Sequence, residues 1–359
     1  MKTVFQIIKP VVRDLKPYSL RPDRASIKIN QNENPWDAPA RIKEETLRRM
    51  TQRQWSRYPD FVPQELQEKL AEFAGWSSDG IIAGNGSNEL IQALLMVTIG
   101  EGKRVLICEP TFALYRQITT ILGGEILSAP LTRELTFDLK AIVGAIRMFR
   151  PDVTIICSPN NPTGCVLAEN DLRTLLTESV GLVVIDEAYH EFARQSTVRL
   201  LSDYSNLIVL RTFSKAMALA GLRVGYLLAS PELTTEIRKA VLPYNLNAFS
   251  RTAAEVAIEL YQTELQPLVN KIIDERDRLF ALLSQIKGLT PVRSQANFMV
   301  VRSEITPRTV FDELLRRDIL IRDVSNYPML KDYFRVSVGT PDENDKLIAA
   351  LKKICEEDR

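Results

Sequence analysis

Lys215 stands in a setting suited to covalent chemistry. It closes the run Arg211-Thr-Phe-Ser-Lys215, and Ala216-Met-Ala-Leu-Ala220 follows it. An amine among apolar side chains loses hydration, which lowers its pKa and makes it a nucleophile near neutral pH. A Schiff-base lysine needs this property; a lone lysine of this kind is more often a solvated surface charge. Gly221-Leu-Arg223 puts a guanidinium close behind, suited to a phosphate. Asp186-Glu-Ala-Tyr189 follows the apolar run Leu182–Ile185. An acid directly after a buried strand is costly unless paired, so Asp186 is expected to meet a cation, a helix cap or structural ion pair being the plainer alternative. Gly84-Asn-Gly-Ser-Asn88 reads as a backbone nest opening a helix, a physical anion site, although such joints also serve turn geometry alone. Ser158-Pro-Asn-Asn-Pro-Thr-Gly164 is either a rigid surface turn or a ligand turn at a strand's carboxyl end.

These turns need strands to hold them in register. Candidate strands are Ile81–Ala83, Arg104–Cys108, Glu125–Ser128, Val153–Cys157, Leu182–Ile185, Leu207–Leu210 and Gly225–Ala229. Helical patterns at Asn88–Thr98, Leu114–Leu122 and Leu139–Phe149 lie between several of them. Continuous apolar strands alternating with helices predict an α/β fold with a mostly parallel sheet covered on both faces. Proline-rich residues 1–40 read as an arm joining a smaller domain, and regular periodicity begins near Pro63. Residues 41–243 form the expected large domain. Residues 244–359 form the expected smaller α+β domain, with a long helical stretch from about Ser250 to Gly288, strands at Phe298–Val301, Ile319–Ile321 and Phe334–Val338, and helices at Pro307–Arg317 and from Pro341. Thr340-Pro-Asp-Glu343 is a helix start of standard chemistry, a hydroxyl cap followed by proline and acids.

Composition narrows the partners. The 359 residues are 45% hydrophobic and 25% charged, with 46 basic against 45 acidic side chains and a net charge of +1. No strong field gathers nucleic acid or anionic membrane, so small-molecule partners are expected. No apolar run approaches the length of a membrane span, and the first residues lack a signal-peptide core, so a cytoplasmic protein is expected. Cys108, Cys157, Cys165 and Cys355 form no Cys-x-x-Cys pair and read as buried thiols. His190 is the only histidine, and no metal site is expected.

Taken together, the four turns supply an anion nest, an amide, an acid with a phenol, and an amine with a guanidinium. Pyridoxal phosphate requires such a set. The sequence also resembles the fold-type I pyridoxal-phosphate aminotransferases along nearly its whole length, and within them the histidinol-phosphate aminotransferase family. The carrying segments are Asn32-Glu-Asn-Pro35, Arg57-Tyr-Pro59, Gly84–Glu89, Glu109-Pro-Thr-Phe112, Ser158–Gly164, Asp186–Tyr189, Thr212–Lys215, Ala220–Arg223, Pro243-Tyr-Asn-Leu-Asn247, Gln295-Ala-Asn-Phe298 and Arg335–Thr340. The resemblance implies a homodimer that passes an amino group between L-histidinol phosphate and 2-oxoglutarate. An aromatic or other small amino acid aminotransferase and a phosphothreonine decarboxylase are rival readings of the same motifs, and a non-catalytic pyridoxal-phosphate-binding module is a third, against which the set of Lys215, Asp186 and Arg335 argues. By resemblance, Lys215 carries the cofactor and moves the proton, and Asp186 holds the pyridine nitrogen protonated. Asn161 and Tyr189 donate to the ring oxygen, and Phe112 stacks on the ring. Asn85, Gly86, Ser87, Ser214 and Arg223 contact the phosphate, joined by Tyr58 from the other subunit. Tyr18, Asn245 and Arg335 line the substrate site, and Arg322 either helps there or forms an exposed ion pair. The chain departs from the family's usual pattern at Met217 and Ala218, where Phe and Gly are common, at Phe112, often Tyr, and after Tyr18.

Overall fold

The computed structural model describes residues 4–17 and 23–357. Thirteen strands are found among them: β1 (Ile27–Lys28), β2 (Ile81–Gly84), β3 (Arg104–Glu109), β4 (Glu125–Pro130), β5 (Val153–Cys157), β6 (Leu182–Asp186), β7 (Leu207–Thr212), β8 (Gly225–Leu228), β9 (Leu289–Pro291), β10 (Phe298–Ser303), β11 (Ile319–Leu320), β12 (Arg322–Asp323) and β13 (Tyr333–Ser337). Seven of them form one sheet in the order β2-β8-β7-β6-β5-β3-β4. Every neighbour pair in it is parallel except those of β8, which runs antiparallel to both β2 and β7.

The strands alternate between two cores. Leu106, Cys108, Val183, Ile185 and Val209 point to one face, where they meet Leu66, Leu70, Ile142 and Leu172. Val105, Ile107, Val184, Ile208 and Leu210 point to the other, against Leu90 and Leu94. Both faces are therefore dry, which is why these strands read as unbroken apolar runs. Carboxyl ends of β5, β6 and β7 converge along one edge, so the turns after them share a rim.

A second, antiparallel sheet runs β12-β13-β10-β9. Its core joins Met299, Val301, Phe334 and Val336 to Leu279, Leu283, Leu347 and Leu351. The arm enters here, because β1 pairs in parallel with β11. The helix Pro341–Glu357 starts as anticipated: Thr340 N–H donates to the Glu343 carboxylate at 2.8 Å, and Glu343 N–H returns to Thr340 Oγ1 at 3.4 Å.

Several differences from expectation have local causes. The helix Ala40–Thr51 went unforeseen because only Ile42, Thr46 and Met50 are buried in an otherwise charged segment. The stretch expected as one helix from Ser250 breaks into Ala248–Glu259, a wide turn at Tyr261–Leu265, and Gln266–Leu283. Residues up to Leu265 belong to the large sheet's core, and Val269 and Ile272 beyond them still pack with Tyr189, Phe192 and Ala216. Among the described residues no helix is long and apolar enough to cross a membrane.

Candidate active site

A cavity of about 410 Å³ opens where the large sheet's rim meets the second sheet. Lys215, Asp186, Tyr189, Asn161, Phe112, Ser87, Ser214 and Arg223 line it, and so do Arg335 and Arg322 from the second sheet. The sheet order explains this convergence. β5, β6 and β7 are adjacent and parallel, so Asn161, Asp186 and Lys215 leave three neighbouring strand ends on the same side.

Lys215 Nζ donates to the Gln31 carbonyl at 2.9 Å and lies 5.9 Å from the Tyr189 ring centroid. Part of the side chain opens on the cavity; protein encloses the rest. That burial, aided by the Arg335 charge, lowers the amine's pKa to about 7. The apolar environment read from Ala216–Ala220 is real: Ala216, Met217 and Leu219 are buried.

Asp186 is buried. Its Oδ2 accepts from the Tyr115 hydroxyl at 2.6 Å, and its Oδ1 from the Ala188 N–H at 3.0 Å. Burial raises its pKa, against the lowering effect of Tyr115. The cation expected beside Asp186 is therefore a neutral phenol and a backbone amide among the described residues. Tyr115 escaped sequence reasoning, although it lies three residues beyond Phe112 and so faces the same way at the start of Leu114–Leu122. The two rings meet edge to face with centroids 5.6 Å apart.

Tyr189 is buried with its hydroxyl accepting from Asn32 Nδ2 at 3.1 Å, and burial pushes its phenol pKa up. Phe298 packs edge-on against its ring, centroids 5.0 Å apart. The turn bearing Asn161 is fixed by its buried neighbour Asn160, which donates to the Pro110 carbonyl at 2.9 Å and accepts from Thr111 at 2.8 Å.

The anion end is built from Ser87, Ser214 and Arg223. Gly86, at φ 77°, is the N-cap of the helix Ser87–Thr98. The positive φ requires the glycine, and a Cβ there would push the Arg223 guanidinium out of its present place. Arg223 donates to Ser214 Oγ at 3.0 Å, and Thr212 donates to the same atom at 3.0 Å. Asn85 stands outside the cavity lining; its N–H is held by the Glu89 carboxylate at 2.5 Å.

At the opposite end, Arg335 and Arg322 face each other as register partners on β13 and β12. Arg335 donates to Asn161 Oδ1 at 2.6 Å and to the Asn30 carbonyl at 2.8 Å. Its guanidinium lies over Phe298 at 5.2 Å. No carboxylate pairs with Arg322 among the described residues, so the exposed ion pair that would have explained it is absent there. Two like charges side by side on one wall favour an anion between them.

Two further anticipated residues lie elsewhere. Asn245 turns to Glu89 and the Ala83 carbonyl, at 2.9 and 3.2 Å, and does not line this cavity. Tyr58 is 81% exposed and stacks on Tyr244, ring centroids 4.6 Å apart. Tyr18 falls outside the described residues.

Comparison with known proteins agrees with this geometry. The chain matches the family described as aminotransferase class I and II over residues 24–351. It is 38% identical over 358 residues to the histidinol-phosphate aminotransferase of Chlorobium phaeobacteroides, covering 99% of each chain. The crystal structure of the histidinol-phosphate aminotransferase from Clostridium acetobutylicum superposes with a TM-score of 0.85 at 26% identity, over 92% of this chain and 99% of that one. The Sinorhizobium meliloti histidinol-phosphate aminotransferase in complex with pyridoxal-5'-phosphate shares the fold, with a TM-score of 0.88 at 24% identity over 98% of each chain. With lysine, acid and anion cradle on one rim and this likeness over the full length, the chain belongs to the class I and II aminotransferases, pyridoxal-phosphate enzymes of fold type I, and among them to the histidinol-phosphate aminotransferase family.

Proposed function

We propose that this aminotransferase moves an amino group between L-histidinol phosphate and 2-oxoglutarate, in histidine biosynthesis, as a cytoplasmic homodimer. The observation that carries the substrate reading is the Arg322–Arg335 pair on the cavity wall away from the Ser214–Arg223 cradle. Each substrate brings an anion besides its amino group: a phosphate on one, carboxylates on the other. A guanidinium fork accepts either kind, so one pair can serve both half-reactions in turn.

The residues present fit the cofactor. Asp186 is a buried carboxylate with no cation beside it among the described residues, the environment a protonated pyridine nitrogen would complete. Ser87, Ser214 and Arg223 suit its phosphate, with Gly86 keeping the space clear; Lys215 suits its aldehyde. Bound pyridoxal phosphate supplies that aldehyde and a ring that draws electrons from the bond being broken.

The chain's own groups do the rest. Tyr115 and the Ala188 N–H fix the Asp186 carboxylate, so its negative charge is aimed before substrate arrives. Asn161 and Tyr189 offer an amide and a phenol beside the lysine, and Phe112 a ring face. Lys215 Nζ, neutral in a large fraction of molecules near pH 7, can accept and return a proton at nitrogen. Arg335, anchored through Asn161 and Asn30, orients the substrate's anionic end.

Single-turnover spectra test the reading. Histidinol phosphate and glutamate should each change the absorption of the cofactor-loaded enzyme, at rates consistent with turnover. Phenylalanine and phosphothreonine should not compete. If histidinol phosphate fails while phenylalanine succeeds, the aromatic aminotransferase takes its place; carbon dioxide release from phosphothreonine would instead favour the decarboxylase.

A further inference from the structure

Asn32 opens the segment Asn32-Glu-Asn-Pro35, to which the proposed mechanism assigns nothing. It is 1% exposed, lines the cavity and adopts φ 55°, a left-handed conformation that asparagine tolerates better than most side chains. Its backbone is anchored on both sides. The N–H donates to Ser337 Oγ at 2.8 Å, and the carbonyl accepts from Asn297 Nδ2 at 3.1 Å. The side chain is placed as well: Oδ1 accepts from the Ser337 hydroxyl at 3.1 Å, and Nδ2 donates to the Tyr189 hydroxyl at 3.1 Å.

The direction of these bonds matters more than their number. An amide can turn its oxygen or its nitrogen to either neighbour, and here Ser337 decides which. Ser337 is buried on β13, and its Oγ already accepts the Asn32 N–H. Its single proton needs an acceptor, and Asn32 Oδ1 is the one it has. Turning the amide over would set that proton against an NH2 group and leave it unpaired in a buried place, which is costly. With its oxygen held by Ser337, the amide must face Tyr189 with its nitrogen. The phenol oxygen then receives a hydrogen, and its own proton stays free for another partner; no acceptor for it is found among the described residues. In the opposite orientation Oδ1 would take that proton and draw it out of the cavity. Tyr189 lines the same cavity, with Lys215 Nζ 5.9 Å from its ring centroid, so the free proton is offered beside the lysine.

We propose that Asn32 is a positioning residue that acts through Tyr189: held by Ser337 in one orientation, it donates to the phenol and so commits the phenol's proton to the ring oxygen of the cofactor. The inference rests on the reading above that pyridoxal phosphate binds in this cavity, with its ring oxygen beside Tyr189. A phenol that donates to that oxygen favours its anionic form, and a phenol that also receives a hydrogen bond is the stronger donor. The lysine-bound cofactor therefore gives up its proton at lower pH than it would without Asn32.

The test reads the pH midpoint of the absorption change of the cofactor-loaded enzyme, without substrate. It compares wild type, Tyr189→Phe, and Asn32→Gly and Asn32→Asp, each alone and combined with Tyr189→Phe. Glycine keeps the left-handed backbone and deletes the amide; aspartate keeps the shape and offers the phenol an acceptor in place of a donor. Arg335, Asp186 and Cys157, the charged and titratable groups around the Tyr189 hydroxyl, and Lys215 over its ring stay in place in every variant. Tyr189→Phe should raise the midpoint by roughly one pH unit, the effect of losing one hydrogen bond to a charged group. Asn32→Asp should raise it about as far, and Asn32→Gly by on the order of half a unit. Each Asn32 shift should shrink sharply once the phenol is gone. An Asn32 shift that persists in full in the Tyr189→Phe background is what a merely structural residue would give, and it would overturn the proposal. So would an unchanged midpoint in both Asn32 variants while Tyr189→Phe moves it. If Asn32→Gly does not fold, the near-isosteric Asn32→Asp carries the same comparison. If Tyr189→Phe itself leaves the midpoint where it was, the placement of the cofactor's ring oxygen beside Tyr189 is wrong, and the role of Asn32 falls with it.

Discussion

Lys215 occupies a place where an ammonium is hard to keep. Burial and the Arg335 charge bring its pKa to about 7, against about 10.4 for an exposed lysine. Between those values the unfolded chain holds a proton that the folded protein has released, so cofactor-free protein gains stability as pH rises through this window. Below about 7 the buried ammonium exerts its full cost. Lys215→Met should therefore raise the melting temperature of the cofactor-free protein more at about pH 6 than at about pH 9, by a difference on the order of 2 kcal/mol. Thermal melts at both values check this, and equal gains would mean the amine is not depressed. At this scale much of the site was legible, because Lys215, Asp186, Asn161 and Arg223 are each announced by a polar residue following an apolar strand. Tyr115 was not. Its role depends on its meeting Asp186, and no local spacing encodes that.

The turn after the lysine shows how an element stores strain. Ala218 adopts φ 54°, the left-handed region that costs an L-residue about 1–2 kcal/mol. The family resemblance puts glycine at this position. Ala218 N–H closes the turn onto the Lys215 carbonyl at 3.3 Å, so the conformation is tied to the lysine's placement. Glycine would relieve the strain but make the unfolded chain freer, which offsets about 0.5–1 kcal/mol. Ala218→Gly is thus expected to stabilise the protein by about 0.5 kcal/mol, read as a higher urea midpoint at unchanged slope. A lower midpoint would mean that the methyl group packs better than its backbone allows. Elements with dense apolar patterns, such as β5 and Leu139–Phe149, match their anticipated bounds. Ala40–Thr51 did not announce itself, since a helix burying a threonine between two apolar residues carries little periodic signal. The antiparallel course of β8 was equally hidden. A strand paired on both sides is apolar whichever way it runs, and only the short Phe213–Val224 connection after β7 hints at a reversal.

For the whole molecule, the expected division at residue 243 depended on a change of pattern along the chain, whereas packing is decided across it. Ala253, Ala254, Val256 and Ala257 face the large sheet's core, so Ala248–Glu259 packs with it although it follows residue 243 in the chain. The same region leaves an apolar surface. Trp55, Tyr58, Phe61, Leu242 and Tyr244 are exposed, with Tyr58 stacked on Tyr244 and Phe61 edge-on to it. Clustered exposed aromatics favour association, and in the proposed homodimer they lie against a second copy. Tyr58 is absent from its own chain's cavity, yet the family resemblance makes it a phosphate contact, so it must serve the partner's site if it serves one. Complementation decides this. Tyr58→Ala and Lys215→Ala homodimers should each be weak or inactive. In a heterodimer of the two, the site built on the intact Lys215 receives its Tyr58 from the other chain and is whole, while the second site lacks both. Mixing and re-forming dimers should therefore restore activity toward half of the wild-type value per heterodimer, and with random exchange about a quarter of wild type overall, heterodimers being half of all pairs. Activity that stays at the sum of the two variants, with exchange verified by mass, would place Tyr58 in its own subunit's service or in none.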